Sequence, residues 1–138
     1  MNAAEFMVKF RDEETGLPLN PYDLGEERYG VHTFTVSAVI AGLRAAGNFS
    51  YAFGEDEYGR KYNEIAGKMK DALIAYFYDR VERRFARMGK RTAKGYELDM
   101  TVDASLSGLV AFDIFSPDES MVVSTMNAVK EKLQVNIN

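Results

Sequence analysis

A chain of 138 residues can bury one hydrophobic core but not two independent ones, and 46% hydrophobic with 28% charged residues is the balance of a packed, soluble protein. A formal charge of −4 argues against the clustered cations that hold nucleic acid by its phosphates, and no apolar run reaches the ~20 residues of a membrane-spanning helix. With no cysteine there are neither disulfides nor thiolate metal sites, and Met1 to Phe6 lacks the basic start and apolar run of a secretory signal, which leaves the cytoplasm the favoured compartment.

In chain order, Phe6 and Phe10 stand four apart and predict a short helix over 2–10, ending before the turn Gly16-Leu17-Pro18. Glycines 16, 25 and 30 with Pro18 and Pro21 predict a shaped loop over 16–30. Thr33 to Phe53 carries Phe34, Val36, Val39, Ile40, Leu43, Ala46 and Phe49 at spacings of three and four, the pattern of a largely buried helix. Gly42 and Gly47 cost helix propensity but admit a close helical neighbour. Glu55 to Tyr78 is amphipathic, with Tyr62, Ile65, Met69, Leu73 and Phe77 on one side and Lys61, Glu64 and Lys68 on others.

The helical period then fades. Arg84 to Met88 and Tyr96 to Met100 flank a Gly/Lys/Thr turn and predict a small β-hairpin near 84–100. The basic residues of that stretch, Arg83, Arg84, Arg87 and Lys90, read as a solvated face. Helix is expected again through Val102, Leu106, Leu109 and Phe112, and once more through Val122, Met126, Val129 and Leu133. For the last, Ser116 reads as the cap, Pro117 as the first-turn residue and Glu119 as the partner in a capping box. Four or five helices without strand–helix alternation make the class mainly α.

Functional side chains are densest in Tyr22-Asp23-Leu24-Gly25-Glu26-Glu27-Arg28-Tyr29-Gly30-Val31-His32. Adjacent carboxylates beside a cation and aromatic rings can hold different protonation states, since like charge and desolvation raise one pKa while the cation lowers the other. Such a pair can supply an acid at neutral pH. His32, alone beside a helix start, reads as a structural, hydrogen-bonded residue.

The order Asp23-Leu24-Gly25-Glu26-Glu27, followed by Thr33, Thr35 and a helix rich in small residues, resembles the catalytic-acid segment of glycoside hydrolase family 15. Gly42-Leu43, Ala45-Ala46, Phe49, Asp103-Ala104-Ser105-Leu106 and Ser116-Pro117-Asp118 extend the resemblance over about residues 14–133. Gly25 stands where that family has a tryptophan that lines the sugar site.

The resemblance implies one partial glucoamylase-like domain over residues 1–138, built of helical hairpins as part of an (α/α)6 toroid. It further implies inverting hydrolysis of an α-glucan oligosaccharide or polysaccharide without metal or cofactor. Glu26 would match the general acid, with Asp23, Glu27, Tyr22 and Arg28 shaping or polarising the subsite. An inverting reaction also needs a second carboxylate, roughly 6.5–9.5 Å away, to activate water. No segment among the 112 residues after Glu26 (138 − 26) matches it. The expectation is therefore a fragment inactive in isolation, completed by other chain segments or by copies of itself. The alternatives are a non-catalytic, self-associating helical module and a helical carbohydrate-binding protein.

Overall fold

The computed structural model describes residues 2–19 and 30–137, with the backbone alone at 135–137. Helix α1, Ala3–Lys9, is capped by Asn2, whose Oδ1 accepts from the Glu5 amide at 2.8 Å. Glu5 in its first turn and Lys9 in its last both suit the helix dipole. Beyond it, Asp12 Oδ1 accepts from the amides of Glu14 (2.9 Å) and Thr15 (3.1 Å), turning the chain so that Arg11 bridges Pro18.

The long helices form as the periodicity predicts: α2 spans Thr33–Ala52 and α3 spans Asp56–Phe77. They pack as a hairpin through Val36, Ile40 and Leu43 on α2 and through Ala66, Met69 and Leu73 on α3. Gly47 does admit a close neighbour, because a Cβ there would lie 3.1 Å from the Gly59 carbonyl oxygen of α3. The ends of the predicted apolar stripe on α2 are not core, however: Phe34 and Phe49 are exposed, Phe49 by 65%.

After α3 the chain forms β2 (Tyr78–Asp79), β3 (Arg84–Phe85), β4 (Met88–Thr92) and β5 (Gly95–Asp99). The hairpin is there, but its first strand lies four residues later than expected, and Arg84–Phe85 pairs instead with β2. A two-residue strand, β1 (Val31–His32), adds antiparallel to β4, giving a sheet of order β1-β4-β5. The 3₁₀ turn Ala104–Ser107 leads into α4 (Gly108–Ala111), and α5 covers Ser120–Ile137. Ser116 does not cap α5 directly. Its amide donates to Glu119 Oε1 at 3.4 Å, which is half of the expected capping box one turn early.

The expected helical hairpins of an (α/α)6 toroid are overturned. Among the described residues α2–α3 is the one helix pair of that kind, and two antiparallel sheets stand beside it. The predicted helix at 102–112 breaks into a 3₁₀ turn and a single α-turn, ended at Asp113, whose φ of 59° is left-handed. Among the described residues helix α5 therefore has no long antiparallel partner. It packs on β3 and the 3₁₀ turn, where Thr125 Oγ1 accepts from the Phe85 amide at 3.0 Å.

The sheet seats on the helical hairpin where Gly89 meets the buried Phe77 ring. A Cβ at Gly89 would lie 2.9 Å from that ring and 3.0 Å from Tyr96 Cβ, and neither can retreat far in a packed core. Gly89→Ala is expected to lower unfolding stability by about 1–3 kcal/mol, read from the urea midpoint at constant slope. An unchanged midpoint would show that this contact is slack.

Candidate functional site

The structure brings together the two chain segments that flank the acidic stretch, and it does so on the β4–β5 hairpin. Tyr22, Asp23, Glu26, Glu27 and Arg28 themselves lie outside the described residues.

On the upstream side, Arg91 of β4 donates from Nε to Asp12 Oδ2 at 2.7 Å and from Nη2 to Glu14 Oε2 at 2.9 Å. The Thr15 and Tyr96 hydroxyls share a hydrogen bond of 2.8 Å. Hydrogen bonding to Arg91 holds the Asp12 carboxyl below its ordinary value, and the same carboxylates raise Arg91.

On the downstream side, Gly30 is buried, and a Cβ there would lie 2.2 Å from Met88 Cε and 2.8 Å from the Gly89 carbonyl oxygen. Val31 then pairs with Gly89 and His32 with Met88. Thr33, which opens α2, donates through its amide to the Arg87 carbonyl (2.9 Å) and through its hydroxyl to the Ala86 carbonyl (2.6 Å). Thr33 is 1% exposed, so both bonds are shielded from water. His32 is exposed and its side chain makes no capping bond to α2.

Next to this junction Arg87, expected on a solvated face, instead lies in a charged cluster with Asp99 and Asp103. Arg87 Nη2 donates to Asp99 Oδ2 at 2.6 Å and Nη1 to Asp103 Oδ2 at 3.3 Å, while its amide donates to the Asp99 carbonyl at 2.9 Å. Arg87 Nε is buried without a partner among the described residues. Asp103 also accepts from the Ser105 amide at 2.9 Å and so caps the 3₁₀ turn. Hydrogen bonds from the Thr101 hydroxyl and amide, with Arg87, hold the Asp99 carboxyl at about 2. Burial pushes Asp103 up, but Ser105 and Arg87 outweigh it and the net shift is downward. The missed signal was Asp99-x-Thr101-x-Asp103-x-Ser105, two carboxylates each followed by its own hydroxyl donor.

Among the described residues no group of three or more His, Asp and Glu could hold a metal ion. The arrangement anchors the two flanks of the acidic stretch through arginine–carboxylate bonds, glycine contacts and backbone pairing.

Comparison with known proteins gives one informative likeness. The chain is 28% identical over 117 residues to a protein of Methanocaldococcus jannaschii named as an uncharacterized glycosyl hydrolase, a match that covers 84% of this chain and 18% of that protein. The chain thus spans less than a fifth of the relative's length, and its likeness is to a glycoside hydrolase in general rather than to family 15. No protein-family description matches it, and no solved structure does.

Because the folded-state pKa of Asp99 is depressed, its ionised form stabilises the fold above its ordinary value of 3.8, and that contribution fades as pH falls toward about 2. The stability gap between the parent chain and Asp99→Asn should be widest near neutrality and close between about pH 4 and 2. Urea unfolding across that range reads it. A gap that does not change with pH would mean that Asp99 acts through shape alone.

Proposed function

We propose that this chain is part of a glycoside hydrolase acting on α-glucans, with Glu26 as the general acid that protonates the leaving oxygen. The observation that carries the reading is the match to a protein named as a glycosyl hydrolase over 84% of the chain. The Asp23-Leu24-Gly25-Glu26-Glu27 order supports the finer assignment to family 15, to inversion and to Glu26. Asp23, Glu27, Tyr22 and Arg28 shape and polarise the sugar subsite. The carboxylate that activates water comes from another segment or another chain, so the isolated chain is expected to be inactive. Neither metal nor cofactor takes part in the proposed step.

The chemistry asks for an acid still protonated near neutral pH, which a neighbouring carboxylate such as Glu27 favours through like-charge repulsion. An oxygen so protonated leaves as a neutral hydroxyl, while water attacks from the opposite face of the ring. In a catalytically complete protein containing these residues, Glu26→Gln should lower glucose release from maltose and soluble starch at least about a hundredfold. The sugar released should be the β-anomer, seen by proton NMR before mutarotation. Unchanged turnover in Glu26→Gln would sink the assignment of the acid, and an α-product would sink inversion.

One surface feature favours a second reading, self-association. Phe6 of α1 and Phe10 at its C-terminal cap stack at 4.4 Å while remaining 49% and 41% exposed, and the exposed Leu19 is tied to Phe10 by a bond from its amide to the Phe10 carbonyl. Contiguous exposed apolar surface of this kind commonly pairs with a copy of itself. Sedimentation velocity should then show a dimer that Phe10→Asp converts to monomer. A parent chain monomeric at every concentration removes the reading.

A further inference from the structure

The far end of the α2–α3 hairpin carries a cleft of about 530 Å³, formed where α1 lies against the last turn of α2 and the first turns of α3. This is within the size range of small-molecule sites. Helix α2 has 20 residues, so the cleft lies roughly 30 Å from the junction where the acidic stretch enters.

Its base is fully partnered. Glu5 Oε1 accepts from the Tyr62 hydroxyl at 2.7 Å and from Lys61 Nζ at 3.1 Å, and Tyr62 is buried. These bonds keep Glu5 ionised and hold α1 to α3, so the cleft is preformed. Its rim is different. Phe49 and Tyr58 are 65% and 49% exposed, and the Tyr58 hydroxyl and Glu55 carboxylate make no hydrogen bond among the described residues. Phe49 lies beside the likewise exposed Phe53 ring at 4.6 Å, which widens the apolar rim, while Tyr58 stacks on the buried Tyr62 ring at 6.0 Å, so Tyr58 needs little further ordering for a ligand to stack on it.

Exposed rings beside unpaired acceptors call for a ligand with an apolar face and several hydroxyl donors, which is the chemistry of a pyranose. The ionisable lining, Glu5, Glu55 and Lys61, sums to −1 (−2 + 1), which disfavours phosphates and other anions. We propose that this cleft is a second carbohydrate site, remote from the acid, that holds a neutral α-glucan chain between Phe49 and Tyr58 with Glu55 and the Tyr58 hydroxyl receiving its hydroxyl groups. The choice of α-glucan rests on the hydrolase reading above; the choice of a neutral sugar rests on the cleft. The site retains a polymer rather than cutting it.

The probe is maltoheptaose, titrated into the full chain and followed by amide and aromatic NMR shifts, beside Phe49→Ala, Tyr58→Ala, Tyr58→Phe, Glu55→Gln and Glu26→Gln. Binding on the order of a millimolar is expected, with shifts centred on residues 49–62 and on the α1 residues Asn2 and Glu5 that line the cleft. Phe49→Ala and Tyr58→Ala should each weaken it by about tenfold, and the two milder changes, which leave the packing intact, by about threefold. Glu26→Gln should leave it unchanged.

No shifts at 49–62, or full affinity in all four cleft variants, overturns the proposal. An equal response to cellohexaose overturns the α-glucan class. If Phe49→Ala dissolves an oligomer without altering the maltoheptaose response, the face is a contact between copies and the proposal falls. Failure of the hydrolase reading is seen separately, as glucose release indifferent to Glu26→Gln, and it leaves binding at the cleft measurable.

Discussion

The β4–β5 hairpin is the piece on which the rest of the molecule depends, because both segments flanking residues 20–29 are tied to it. The two ties differ in kind. Upstream, Arg91 to Asp12 and Glu14 is a pair of charge-assisted bonds in contact with water, where solvent screening leaves ion pairs weak. Downstream, the bonds from Thr33 and the contact of Gly30 with Met88 and Gly89 are buried, where losing a partner exacts about 1–3 kcal/mol for each stranded group. The downstream flank is therefore the firmer one, and the side that fixes where the stretch enters α2.

How far the fold could be read from the sequence follows from the reach of each interaction. Helices α2 and α3 were legible to within a few residues because their stripes at spacings of three and four are local and long. The hairpin was legible as a type of element but not in register, since nothing within 84–92 tells Arg84–Phe85 that its partner is Tyr78–Asp79. Strand β1 was illegible: two residues, Val31 and His32, carry no pattern, and their pairing with β4 is decided by Gly30 and Gly89 across more than fifty residues of chain. The toroid expectation failed at the same point. It carried a helical architecture over from a resemblance, while the 3₁₀ turn, the left-handed Asp113 and a third strand are set by contacts distant in sequence.

The candidate site divides along the same line. The acidic stretch was visible as a linear motif, whereas Arg87, Asp99 and Asp103 are drawn together by the fold from positions 12 and 16 residues apart. Read singly, arginines 84, 87 and 91 look like a solvated face. In the fold Arg87 and Arg91 each join two carboxylates, and Arg84 reaches the Met100 carbonyl at 2.7 Å while pairing with Glu82.

That pairing bears on the proposed chemistry. The two anchoring clusters hold Arg87 and Arg91 against Asp12, Glu14, Asp99 and Asp103, a sum of −2 (+2 − 4). An arginine left unopposed at either flank would pull a nearby carboxyl toward ionisation and defeat its use as an acid at neutral pH. Here Arg87 and Arg91 are each paired with two carboxylates, and Asp12, Asp99 and Asp103 among them have lowered pKa values and stay charged through the physiological range. Within these two ion-paired clusters the carboxylates therefore outnumber the guanidiniums. For a carboxyl that must keep its proton, the role proposed for Glu26, an excess of carboxylates in the flanking clusters is the favourable sign, and it comes from the same bonds that fix the two flanks.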